Sequence, residues 1–165
     1  LELDPPGEEW GSAPFPQVPP AKQVELAPIG PPFGPVFSKH LEYRPITPLP
    51  TLGTESVVHG WINLPQRTEL GVHWNAAQLL SMVDAWWPSP YTLMKTMRPV
   101  ATVSFSANLL IDPMDIASID GERSPLLHDA SVSSIHGGFM SELRRLWTPD
   151  GRLVVENLQS IMVIK

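Results

Sequence analysis

The sequence predicts an α+β fold in which an antiparallel sheet curves around one central helix. Three observations carry that expectation. A single helical stretch, 75–87, is apolar on nearly every side, as a helix wrapped by other structure should be. Four strand-like segments follow it and one precedes it. The last strands are separated by hairpin signals, which make neighbours antiparallel.

Residues 1–38 are punctuated by Pro5-Pro6, Pro19-Pro20, Pro31-Pro32 and several glycines, and about two-thirds of the 20 prolines lie in the first third of the chain. Such a segment favours extended backbone and cannot build a core alone, so it reads as a linker running over a folded surface. The folded domain is expected over 39–165. Ser56 to Ile62 reads as its first strand. The helix then opens at Asn75, with Gln78 three positions on in a capping-box arrangement, and Pro88 closes it. Val100 to Ile111 alternates. Ala101, Val103, Phe105, Ala107 and Leu109 fall on one face, with Thr102, Ser104, Ser106 and Asn108 on the other. Leu126 to His136 is the next strand, turned by Gly137-Gly138 into Phe139 to Trp147. Thr148-Pro149-Asp150-Gly151 then leads into Arg152 to Ile164, with proline fixing φ and glycine supplying a left-handed residue. Together these elements describe an architecture of hot-dog type.

Composition narrows the function classes. The 165 residues carry a net charge of −6, and 42% are hydrophobic, enough for a real core. An acidic chain without a basic run argues against nucleic acid or an anionic membrane as the main partner. With no cysteine there is no disulfide, thiolate metal site or cysteine nucleophile, which fits a reducing compartment such as the cytoplasm. No apolar run is long enough to span a bilayer, and neither a signal peptide nor a peroxisomal tripeptide is visible. The opening Leu1 reads as the start of a processed or truncated piece of something longer. Nucleophile elbows, phosphate-binding glycine loops and zinc-protease motifs are absent, so no cofactor or metal is expected. The five histidines lack ligand spacing, and His128 and Asp129, adjacent in a strand, point to opposite faces.

Asp84 is the one charge within the apolar helix. If buried there, the carboxylate costs several kcal/mol unless something pairs with it. Thr102 in the alternating strand and Gln159 in the last strand are the other polar candidates for a shared site. Spacing alone leaves two readings open: one site, or three separately satisfied groups.

From about Pro32 onward the chain resembles the second half of a double hot-dog acyl-CoA thioesterase of the type II (TesB-like) family. The matching segments are Gly60-Trp61-Ile62-Asn63, Val83-Asp84-Ala85, the stretch from Val100 to Val103, Gly137-Gly138-Phe139, the run from Leu146 to Leu153, and Gln159. The resemblance implies that Asp84, Thr102 and Gln159 are the catalytic set: Asp84 as general base, the other two orienting a water that attacks an acyl-CoA thioester. Ser104 would be an auxiliary. An apolar slot lined by Met82, Trp86 and Trp87 would take the acyl chain, and Lys95, Arg98, Arg144 and Arg145 would be available for the CoA phosphates. Family members carry two repeats, so this unit is expected to pair with a second hot-dog unit, in a homo-oligomer or with an N-terminal half. The competing expectation is a non-catalytic acyl-binding or assembly module. Dehydratase chemistry fits less well, because no histidine lies on the helix.

Overall fold

The computed structural model describes residues 13–32, 34–65 and 71–164. Six strands form one antiparallel sheet: β1 Glu42–Pro45, β2 Val57–Asn63, β3 Val100–Leu109, β4 Leu126–His136, β5 Phe139–Trp147 and β6 Leu153–Val163. Their order across the sheet is β1-β2-β4-β5-β6-β3. The helix α1, Ala76–Asp84, lies against the inner face. The later strands thus occur where the hydrophobic patterning puts them. β1 was not anticipated, because four residues ending in proline give too short a periodic signal.

The capping box at α1 forms as the sequence requires. The Asn75 side chain accepts from the Gln78 backbone N–H at 2.9 Å, and the Gln78 side chain accepts from the Asn75 N–H at 3.1 Å. Two of the orphan donors of the first turn are thereby satisfied. The helix ends at Asp84, earlier than Trp87, and Ala85 is its C-cap. Both hairpins follow their turn chemistry: Gly137 and Gly138 stand at φ +60° and +87°, and Gly151 at +88°.

Two findings correct the expectations. The helix is covered on one side only. Leu79, Met82 and Val83 are buried, whereas Ala76, Ala77, Leu80, Ser81 and Asp84 face outward. The sheet of one chain curves far enough to bury a single stripe, and the opposite stripe lies bare. Asp84 is therefore not buried; its side chain is 52% exposed. The second correction concerns β3. A bulge between Thr102 and Ser104 inserts Val103 as an extra residue, so Thr102 pairs with Ile161 and Ser104 with Ser160. Directly opposed residues share a face. Thr102 thus joins Phe105, Ala107 and Leu109 on the inner side, and Ser104 is turned to the outer side, away from Thr102.

The inner face packs Tyr43, Val58, Ile62, Leu126 and Leu146 against α1, Trp74 and Trp86. On the outer face, the extended N-terminal segment lays Phe15, Val18, Ala21 and Val24 over Trp61, Leu127 and Trp147. The indole N–H of Trp61 donates to the Pro19 carbonyl at 2.9 Å, and the Phe15 ring meets Trp147 edge-on at 5.7 Å. Each large apolar side chain removed from water contributes roughly 1.5–3 kcal/mol, so this strap is an integral layer of the structure.

Gly60 in β2 is required by the close approach of Trp86. A Cβ there would stand 2.3 Å from the indole Cη2 and 3.0 Å from the Arg44 carbonyl oxygen. Gly60→Ala should therefore destabilise the fold by ~1–3 kcal/mol through overpacking. A lowered urea midpoint with an unchanged m-value checks this.

Candidate active site

The C-terminal end of α1 carries no basic residue in its last turn, yet its carbonyls are satisfied from three strands. Tyr43 of β1 donates its hydroxyl to the Ala85 carbonyl at 3.0 Å. His128 of β4 places Nε2 3.3 Å from the Val83 carbonyl. Arg144 of β5 directs Nη1 at the carbonyls of Val83, Asp84 and Trp86, at 3.4, 3.3 and 3.3 Å. A guanidinium at this end also complements the negative pole of the helix dipole.

Arg144 is 1% exposed and would be untenable without a counter-charge. Glu142, two residues earlier on the same inner face and wholly buried, supplies it. Its Oε2 accepts from Arg144 Nε at 2.9 Å and lies 2.8 Å from Nη2, while Oε1 accepts from the Ser89 N–H at 2.6 Å. The pair thus holds the helix end, the Trp86-Trp87 corner and the turn after Pro88 to one strand. Burial, and secondly the Arg144 charge, push the His128 imidazole well below its usual range, so it is neutral and stacks on Trp86. Burial likewise raises the Tyr43 phenol to about 12, keeping it a donor.

Asp84, Thr102 and Gln159 meet on the wall of one cavity of about 790 Å³ between the helix end, the N-terminal strap and the β6–β3 edge. Gln159 is 2% exposed, and its Nε2 donates to Thr102 Oγ1 at 2.9 Å. Gln159 Oε1 is buried with no hydrogen-bond partner among the described residues. The Asp84 carboxylate reaches Arg144 Nη1 at 3.5 Å, and among the described residues no hydrogen bond joins it to Thr102 or Gln159. The β3 bulge brings Thr102 to this wall; Ser104 lies outside it.

Of the anticipated slot residues, Trp86 and Trp87 line the cavity, whereas Met82 is packed in the core. Arg144 is withdrawn from the rim by its buried pairing. Arg145 is on the outer face, bonded to Glu156 at 2.9 Å. Lys95 and Arg98 are exposed, and Arg98 borders the cavity. Sequence reading missed the parts played by Glu142, Tyr43 and His128. An alternating strand that puts Glu142 and Arg144 on the same side as Met140 and Leu146 is the signal that could have found the first.

Removing one partner of the buried pair should be costly: Arg144→Met is expected to lose ~3–5 kcal/mol. The double variant Glu142→Leu/Arg144→Met should lose much less than the two single losses added. A double-mutant cycle by urea denaturation measures this, and a coupling near zero would refute the clamp.

The family model for the acyl-CoA thioesterase C-terminal domain matches residues 12–163. Among curated proteins none matches the chain by sequence. Several solved structures share the fold, three of which are as follows. A hot-dog protein of unknown function from Alicyclobacillus acidocaldarius superposes at TM-score 0.76 with 21% identity, over 96% of this chain and 58% of that one. A tesB protein from Mycobacterium avium subs paratuberculosis does so at 0.69 with 14% identity, over 96% and 57%. An acyl-CoA thioesterase II, TesB2, from Mycobacterium marinum gives 0.61 with 18% identity, over 96% and 58%. The chain therefore spans less than two-thirds of the length of each, and at these identities the likeness establishes the hot-dog fold. With the family model covering nearly its whole length, the chain belongs to the family of acyl-CoA thioesterase C-terminal domains.

Proposed function

We propose that this chain carries the water-activating half-site of an acyl-CoA thioesterase. The observation that carries the reading is the Gln159–Thr102 hydrogen bond beside a buried, unpartnered Gln159 Oε1, on the same cavity wall as Asp84. A buried acceptor left unmatched costs about 1–3 kcal/mol, and a water donating to it removes that cost. Thr102, accepting from Gln159 Nε2, directs its own O–H outward. A water held there accepts from Thr102 and gives one hydrogen to Gln159 Oε1 and the other to the Asp84 carboxylate. Its free lone pair attacks the thioester carbonyl carbon as Asp84 takes the proton. The tetrahedral intermediate then expels the CoA thiolate, leaving free acid, with no covalent enzyme intermediate. Arg144 Nη1 lies 3.5 Å from the Asp84 carboxylate on the same wall.

The substrate class on this reading is a fatty-acyl-CoA, its chain in the cavity that Trp86 and Trp87 line. A cytoplasmic setting fits the cysteine-free composition. Asp84→Asn should reduce thioester hydrolysis ~10²–10⁴-fold, the usual contribution of a positioned base, and Gln159→Ala should lower kcat more than it raises KM. Thiol release from acyl-CoA measures both. Unchanged activity in Asp84→Asn would exclude the base; intact protein that binds acyl-CoA without cleaving it would establish the acyl-binding module instead.

Pairing with a second hot-dog unit completes the proposal. The bare stripe of α1 and the edge strand β3, with Phe105 40% and Leu80 36% exposed, form a surface continuous with the site. Sedimentation equilibrium at micromolar concentration should give a species larger than the monomer, and Leu80→Glu should weaken that association. A monomeric wild type, both alone and mixed with an N-terminal half, would contradict the pairing.

A further inference from the structure

Two hollows meet at the candidate site, and one residue of the N-terminal strap stands where they join. The larger lies behind the helix end and is walled by Ile29, Pro32, Pro35, Trp87 and Met97. The smaller, about 470 Å³, opens on the bare stripe of α1 and on β3, against Leu80, Ser81 and Phe105. Asp84, Ala85 and Thr102 border both, and so does Phe37. The first three belong to the helix end and β3. Phe37 alone comes from the strap.

The phenyl ring of Phe37 has no place in the core. It is 50% exposed, next to Val36 at 63%, although its backbone is firmly held. The short turn Val36–His40 is pinned by Ser38, which is 1% exposed and whose N–H donates to the Pro35 carbonyl at 3.1 Å, and by the Leu41 N–H on the Ser38 carbonyl at 3.1 Å. An anchored backbone that presents a large apolar ring to solvent, at the wall two cavities share, suits a ligand surface better than a packing surface.

We propose that Phe37 is a specificity-determining residue, the partition between the acyl cavity and the entry hollow, against which the alkyl chain packs after passing Asp84 and Thr102. The inference rests on the thioesterase reading for the direction of the substrate: thioester at the shared wall, alkyl chain behind Phe37, CoA on the side of the smaller hollow. The ligand recognised is a hydrocarbon chain, since Ile29, Pro32, Pro35, Trp87 and Met97 wall the larger cavity beyond the shared site.

The test uses binding, so it does not depend on turnover. The assembled protein is titrated calorimetrically with free CoA and with S-dodecyl-CoA, a thioether that cannot be hydrolysed. Wild type should bind the dodecyl compound more tightly than CoA. Phe37→Ala should lower that alkyl advantage on the order of tenfold while leaving CoA affinity within twofold, and Phe37→Leu should restore most of it. An unchanged alkyl advantage in Phe37→Ala, an equal loss for both ligands, or no alkyl advantage in wild type would each overturn the proposal. Because Phe37 is half exposed and anchored through Ser38, the variant is expected to keep the wild-type unfolding midpoint, which verifies that binding is read on folded protein. A wild type that shows the alkyl advantage, sensitive to Phe37→Ala, but does not hydrolyse acyl-CoA would count against the thioesterase chemistry alone; a hydrolysing wild type whose alkyl advantage is unchanged in Phe37→Ala would count against Phe37 alone.

Discussion

The buried pair of Glu142 and Arg144 is the constraint on which the rest of the inner face depends. A helix of nine residues ends under the sheet with carbonyls that its own sequence leaves unsatisfied. Arg144 meets three of them with one guanidinium, and Glu142 makes that charge tolerable while tying the turn at Ser89 to the same strand. Asp84, Trp86 and Trp87 are positioned as a consequence. So is the neutral state of His128, since an imidazolium beside Arg144 in this enclosure would face both desolvation and like charge.

A second constraint comes from one residue of irregular strand. Without the extra Val103, Thr102 would face outward with Ser106 and Asn108, and Gln159 would have no hydroxyl to meet. Polarity on the inner face is unusual in kind: His128, Glu142, Arg144, Asn157 and Gln159 are all buried there. Packing alone would favour apolar residues at such positions, and the helix end and the cavity wall account for most of the polar ones.

Much of this was legible beforehand, for physical reasons that differ by element. Strands β4 to β6 run long enough for their period to show, and Gly137-Gly138 and Gly151 mark turns that only left-handed residues complete. The capping box announced the start of α1. What could not be read is whatever depends on counting from another strand. The bulge shifts Thr102 to the other face although the local sequence alternates cleanly. The exposure of Asp84 depends on how far one sheet can curve. Arg144 looks like a surface cation from its neighbours alone, because the carbonyls that hold it lie some 60 residues earlier in the chain. The grouping of Asp84, Thr102 and Gln159 was suggested by resemblance; their meeting on one cavity wall is a property of the fold.

The strap also decides which margin of the sheet is open to strand pairing. It passes from the outer face, where Phe15 covers Trp147, to the inner side, where Ile29 walls the cavity, and it rounds the sheet at β1 through the bridge between Ala27 and Tyr43. The N–H of Ala27 takes up the Tyr43 carbonyl at 2.8 Å, so that margin of the sheet is blunted. The opposite margin, β3, has no further strand beside it among the described residues. A sheet with one free margin can accept one neighbour by strand addition and then has nothing further to offer, whereas two free margins would permit an endless ribbon. The same proline-rich segment that walls the cavity therefore also closes one margin of the sheet to strand addition.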